Sequence, residues 1–427
     1  MKILKRIGVV SAIVLGVLLV VAVVVPIVFK TQITDFAKKT VNENLNATVD
    51  FESASLSFFR SFPYLNFRLN DYAVIGKEEF EAIPLATGKS FDIAVNLLSV
   101  WNTPIKIKSI RLNEPVLKVY VLSDGKANYD IVPTSTSSDT SSSAIALALK
   151  SYTIQNGSIY YNDQILGLET SLVGINHKGK GNFTATVFDL DTETTIDAAS
   201  VKYGGIGYLD SVKMELDAIF NIDLAQQKYT LKDNELQINE LKLGANGFLQ
   251  LDATGENMML DFSFKAPEND FKNLLSLIPN AYTQDFNKVK ASGQFQFNGT
   301  VNGVYNATKE QYPAFVLNLN VENGEFKYPD LPVGVSNIQT NTNIRNPGGS
   351  LDATIIDVSQ FGLSINQDVV KGKLLLKTPL SNPDVETNIK ANLDLANLVK
   401  AYPLEGVKEM AGKIIADINV KAKQSDF

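Results

Sequence analysis

Beyond residue 46 the chain is dominated by an alternation of apolar and polar positions. It runs through YLNFRLND, PIKIKSIRL, PVLKVYVL, NFTATVFDL, MELDAIFNIDL, YTLKDNELQINELKL, MLDFSFKA, GQFQFNG, FVLNLNVENGEF, NIKANLDL and KIIADINVKA. A period of two places every second side chain on the same face, so each stretch predicts a half-buried strand with one dry and one wet side. Asn-Gly, Asp-Gly, Gly-Gly and Pro-containing breaks between them suit antiparallel hairpins. No strand pattern alternates with a long helical one, which argues against a doubly wound α/β fold. The expected class is mainly β: an elongated, curled antiparallel sheet with a few short amphipathic helices.

Three places depart from the period of two. Thr31–Asn46 reads as a short amphipathic helix, with Ile33, Phe36, Ala37, Val41 and Leu45 at helical spacing, and is expected to cover one end of a sheet. The other two places are copies of one decapeptide, DFKNLLSLIP at Asp270–Pro279 and DLANLVKAYP at Asp394–Pro403. Each predicts a capped helix: the Asp accepts from the first free backbone N–H groups, an i, i+3, i+4, i+7 stripe packs on a sheet, and the Pro stops it. A second motif also recurs, NGSIYYND at Asn156–Asp163 and NGEFKYPD at Asn323–Asp330. Each copy is expected to be a turn, a short strand carrying an aromatic, and another turn. Helix plus alternating strands, written at least twice, is the pattern of stacked units that bury one another's edges.

The first thirty residues follow different rules. Ile7–Phe29 contains no charged residue, and as a helix it would span roughly 34 Å, enough for a hydrocarbon core of about 30 Å. Lys2, Lys5 and Arg6 precede it and only Lys30 follows directly, which puts the amino terminus in the cytoplasm and the rest across the membrane. The run is longer than a signal-peptide apolar region and ends without a small-residue cleavage site, so a retained anchor is expected. The divisions are therefore a cytoplasmic tip and anchor at 1–30, an amino-terminal module at 31–132, the Ser/Thr tract PTSTSSDTSSS at 133–143 as a loop, and a repeated strand region at 144–427.

Composition removes most chemistry. A net charge of −7 and no basic block beyond the first six residues exclude a nucleic-acid footprint. There is no cysteine, hence no thiol nucleophile, disulfide or zinc–thiolate site. The one histidine, His177 in GINHKGKGNF, is expected in an exposed turn and cannot make a multi-His metal site. Asp189, Asp191 and Glu193 alternate in FDLDTETTID without the Gly and closing Glu of a calcium loop, so they read as the wet face of a strand reaching a turn. YGGIGYLD lacks the spacing and the following helix of a nucleotide loop and reads as a tight turn or bulge. No carboxylate pair is marked for glycoside hydrolysis, and Trp101 is the only tryptophan. No catalytic residue, cofactor or metal site is expected, and the chain does not read as an enzyme.

The resemblance carried by these phrases is to the AsmA family of Gram-negative envelope proteins. VDFESASLSFFRSFPYLNFRLNDYAVIG, Val49–Gly76, looks like the family's chorein-like start, and IKSIRLNEPVLKVYVLSDGKANYDI, Ile107–Ile131, matches its strand, Pro, strand, Asp-Gly-x-x-Asn wording. NGSIYYND and the two decapeptides fit its later repeats; the Ser/Thr tract and Asn-rich strands look closest to members from Bacteroidetes. The likeness implies an inner-membrane-anchored, periplasmic, bridge-like carrier of phospholipid built from β-groove units and serving outer-membrane biogenesis. Envelope or outer-membrane proteins are the implied partners. It brings no residue-level site. Family members are commonly longer, so the end at KAKQSDF is expected to be a truncation, the alternative being a short member that needs a partner to bridge.

Two readings follow. In one, the dry face is an open trough for acyl chains, and its candidate lining is Phe262, Phe264, Phe295, Phe297, Leu317 and Leu319. In the other, the sheet is closed and the protein is an anchored periplasmic scaffold that binds envelope proteins and regulates their targeting to the outer membrane. Both use the same binary pattern, which names neither the lipid, the direction of transfer nor the oligomeric state.

Overall fold

The computed structural model describes residues 31–427 except 32–33, 36–37, 40–41, 44, 58–63, 97–104, 132–144, 278–287, 330, 403–406, 408 and 427. The expected anchor at 7–29, the Ser/Thr tract, Trp101, Pro279 and Pro403 lie outside the described residues. The chain divides into two units, 1–211 and 212–427.

The first unit holds β1 (Thr48–Ser57), β2 (Tyr64–Ile75), β3 (Pro84–Asn96), β4 (Ile105–Asn113), β5 (Val116–Val121), β6 (Ile145–Asp163), β7 (Leu168–Lys180) and β8 (Val187–Tyr203). Strands β1 to β4 pair antiparallel in chain order, as do β6 to β8. β4 and β5 form one line interrupted at Glu114-Pro115, and both pair with β6 in parallel. That corrects the all-antiparallel expectation. The chain leaves β5 at one rim and re-enters at β6 on the other, so these neighbours must run the same way. Asn182–Thr186, expected to open a strand, is instead a turn region that precedes β8.

The residues described between 31 and 42 are helical, and this segment lies along β1, as its amphipathic pattern predicts. Asn42 donates to the Val49 carbonyl at 2.8 Å and accepts from the Val49 N–H at 2.7 Å. Lys38 pairs with Asp50 at 2.5 Å and lies over the Phe51 ring. The segment thereby supplies side-chain partners to a strand edge that would otherwise offer free N–H and C=O groups.

The second unit begins within β9 (Ile206–Asp223) and holds β10 (Lys228–Ile238), β11 (Leu241–Leu251), β12 (Met258–Lys265), β13 (Lys290–Tyr305), β14 (Ala314–Lys327), β15 (Val335–Asn346), β16 (Ile355–Ile365), β17 (Asp368–Lys377), β18 (Asp384–Asp394) and β19 (Lys413–Lys423). From β9 to β19 each strand pairs antiparallel with the next. The decapeptides form α1 (Phe271–Leu275) and α2 (Leu395–Ala401), and in each the leading Asp caps as expected. Asp270 accepts from Lys272 N–H and Asp394 from Ala396 N–H, both at 2.9 Å.

The Asn-Gly pairs of the second motif are not turns. Asn156 (φ 49°) and Asn323 (φ 51°) lie inside the long strands β6 and β14, at breaks in register with the neighbouring strands. Asn tolerates the left-handed conformation and the following Gly has no side chain to collide, so the same dipeptide that closes a hairpin can instead form a bulge. In the first unit residues with left-handed φ line up across the strands. Asp71 in β2 (φ 49°), Glu114 between β4 and β5 (φ 49°), Asn156 in β6 and Gly174 in β7 (φ 71°) occupy successive positions.

Candidate functional site: an uncovered apolar face

Cross-strand register turns the alternating pattern into continuous rows. In the second unit Phe264, Gly299, Leu317, Ile344, Ile356, Leu376 and Val385 are successive direct partners from β12 to β18. A second row runs through Phe297, Leu319, Thr342, Val358, Leu374, Thr387 and Val420. At about 4.8 Å per strand the eight strands β12–β19 carry this face over roughly 34 Å. The opposite face is polar: Asn318 donates to Asn298 at 3.0 Å, Asn343 to Asn318 at 2.8 Å, and Glu386 lies between Lys373 and Lys421 at 3.4 and 3.3 Å.

Helices α1 and α2 pack on one end of the dry face. Phe271 and Leu275 of α1 form a buried cluster with Leu241, Phe295, Val321 and Tyr328. Ala401 of α2 joins Val335 and Ile365 in a second cluster. The row from Phe264 to Val385 belongs to neither, and its side chains are partly exposed. On β19 the dry-face residues Ile414, Ile418 and Val420 are exposed.

All six residues expected to line a groove fall on this one face. Phe262, Phe264, Phe297, Leu317 and Leu319 are partly exposed there. Phe264 and Phe297 bring their ring centroids to 5.8 Å, and Phe297 is paired directly with Leu319. Phe295 is different: at 1% exposure it is a core residue in the cluster with α1. Ile344, Ile356, Leu376 and Val385 were not singled out from sequence. Their strands interleave the apolar positions with Thr, as in NIQTNTNIRN, or carry consecutive leucines, as in KGKLLLK, and both obscure the period of two.

The first unit has a corresponding row, Leu69–Phe91–Leu112–Ile154–His177–Thr194. His177 is thus not in an exposed turn. It sits in mid-strand on β7, its ring 5.1 Å from that of Tyr152 and its Nδ1 2.8 Å from Thr194 Oγ1. The surrounding glycines that suggested a turn serve a bulge at Gly174 and a close ring contact at Gly179. Burial holds the imidazole below its ordinary pKa. Asp189, Asp191 and Glu193 lie exposed on the other side of β8, and Gly204-Gly205 (φ 57° and 79°) make the two-residue turn before β9, both as expected.

Among the described residues no group of three or more His, Asp, Glu or Cys is placed to hold a metal ion, and no helix is long and apolar enough to cross a membrane. A family model described as the AsmA family matches residues 1–398. No curated protein and no solved structure matches the chain.

Proposed function

The chain belongs to the AsmA family, and from that membership and its apolar face we propose an inner-membrane-anchored periplasmic protein that carries phospholipid and serves outer-membrane biogenesis. The observation that carries this reading is the row from Phe264 to Val385, seven directly paired dry-face positions whose six side chains, all but Gly299, are left partly exposed beside two helix-covered clusters. An acyl chain gains about 0.8 kcal/mol per methylene on leaving water, on the order of 12 kcal/mol for a chain of about sixteen carbons. A continuous apolar strip can supply that shield without any catalytic group. The uncharged run at residues 7–29 and the charge asymmetry around it support an anchor with the sheet on the periplasmic side.

Lipid analysis by mass spectrometry tests the reading. Residues 31–427 are exported to the periplasm and purified without detergent, beside a variant carrying Leu317→Glu and Ile344→Glu, direct partners in the open row. Phospholipid in the parent and none in a folded variant is the expected result. A folded, lipid-free parent overturns it and favours an anchored scaffold for envelope proteins.

A further inference from the structure

Four aromatic side chains on the dry face share one arrangement. Each is paired directly with a glycine on the next strand: Tyr72 with Gly88, Tyr152 with Gly179, Phe264 with Gly299 and Phe361 with Gly372. In every pair the tip of the ring occupies the space that a Cβ on the glycine would need, at 2.5–2.7 Å for Tyr72 over Gly88. The rings therefore recline across the neighbouring strand instead of standing up from their own, and all four stay partly exposed. None of the four glycines has a left-handed φ, so backbone conformation does not account for the choice of residue.

A reclining ring has a geometric consequence. It fills the void beside the glycine, as aromatic partners of strand glycines do, and it also lowers the side-chain layer where it lies. The pairs recur within each unit, between β2 and β3 and again between β6 and β7, and between β12 and β13 and again between β16 and β17.

Resting on the lipid-carrying reading, we propose that these aromatic–glycine pairs are the crossing points of the trough, where an acyl chain passes from strand to strand over a ring face. The glycines set the clearance. A side chain at the glycine forces the ring upright into the path, while the lipid's polar headgroup, which needs no dry surface, stays outside. Tyr72–Gly88 and Tyr152–Gly179 are the best places to test this, because the three atoms nearest to a Cβ at either glycine all belong to the tyrosine side chain. At Gly299 and Gly372 the Val316 and Asn388 carbonyl oxygens also intrude.

The experiment uses the full chain in membranes containing phosphatidylethanolamine with a photoreactive group near the end of one acyl chain. Labelling is mapped to peptides spanning Tyr152 and His177. Gly179→Val should reduce that labelling about tenfold, a change of about 1.4 kcal/mol, and Gly179→Val combined with Tyr152→Ala should restore it by removing the obstructing ring. A thermal melt of each variant separates obstruction from unfolding. Wild-type labelling that persists in folded Gly179→Val overturns the proposal, as does a folded double variant that stays dark. Absence of wild-type labelling over the whole dry face instead overturns the lipid-carrying reading itself, and the crossing points with it.

Discussion

Tyr328 and Tyr402 meet edge to face, their ring centroids 6.0 Å apart and their planes at 80°. Tyr328 belongs to NGEFKYPD and Tyr402 to the second decapeptide, so the contact joins the two recurring motifs of the sequence. Phe326 approaches Tyr328 at 5.9 Å from another direction, and Tyr402 packs against the cluster that contains α1. An aromatic pair of this kind contributes about 0.5–1.5 kcal/mol beyond the area it buries. The repeats are thus coupled through side chains as well as through the ladder.

That contact predicts a pH dependence. Burial, reinforced by Tyr402, pushes the Tyr328 hydroxyl up to about 12 from its ordinary 10.0. Between those values the unfolded chain gives up its proton while the folded chain keeps it, so unfolding is favoured as pH rises. Denaturation midpoints should fall across that window, and Tyr328→Phe should flatten the decline. Tyrosinate absorbance recorded beside the unfolding signal checks both; an unchanged slope in the variant would refute the assignment to Tyr328.

The caps of α1 and α2 should be separable. Asp270→Ala and Asp394→Ala each remove one bond to a free helix N–H, at a cost of about 1 kcal/mol. The Asp394 N–H is itself held by Asp368, whose carboxylate also accepts from the Asn397 side chain at 2.8 Å. The Asn397 bond first, and then the Asp394 N–H, hold Asp368 below the usual carboxylate range. Its contribution is therefore present above the ordinary carboxylate pKa and lost as pH falls through the depressed one. Amide protection in α2, taken relative to the intrinsic exchange rate at each pH, should fall on acidification and lose that response in Asp368→Asn.

The helices were legible in the sequence because a cap and an apolar stripe at helical spacing agree with each other over ten residues. The dry face was legible because alternation survives whatever the strands pair with. The Asn-Gly bulges were not, since the dipeptide reports a left-handed residue and is silent on whether the chain then reverses. The parallel neighbours of β6 escaped for another reason. Pairing direction is decided by where the chain re-enters after residue 132, and local pattern carries no information about that. Phe295 and Phe297 look alike in sequence; only the landing place of α1 makes one core and leaves the other at the margin of the open strip.

In the first unit Arg68 grips Asp92 with two bonds, Nε to Oδ1 at 2.6 Å and Nη2 to Oδ2 at 2.9 Å, with the Asp92 side chain 3% exposed. Removing only the guanidinium would leave a buried carboxylate whose remaining side-chain bond is a longer one from Ser90. Arg68→Met should therefore cost about 3–5 kcal/mol, while the double variant Arg68→Met, Asp92→Leu should recover most of it. Urea unfolding of the three proteins measures this. A double variant no better than the single would mean that the pair contributes net stability.

The covered edge of β1 makes the last prediction. Asn42 acts there as a surrogate strand, giving and taking one bond at Val49, and it also donates to the Lys38 carbonyl at 2.8 Å, which fixes it to its own helix. Asn42→Ala removes all three bonds and leaves the Val49 N–H and C=O free, at about 1 kcal/mol per bond. Asn42→Asp keeps an acceptor for the Val49 N–H and loses both donated bonds, so it should fall between. Two readouts separate local from global effects: amide exchange at Val49, and concentration-dependent sedimentation, because a bared strand edge is a template for pairing with another chain. Fast exchange and self-association in Asn42→Ala, with β3 to β8 still protected, is the expected outcome. Equal loss of protection across the unit would show that the helical segment stabilises the whole sheet and not its edge alone.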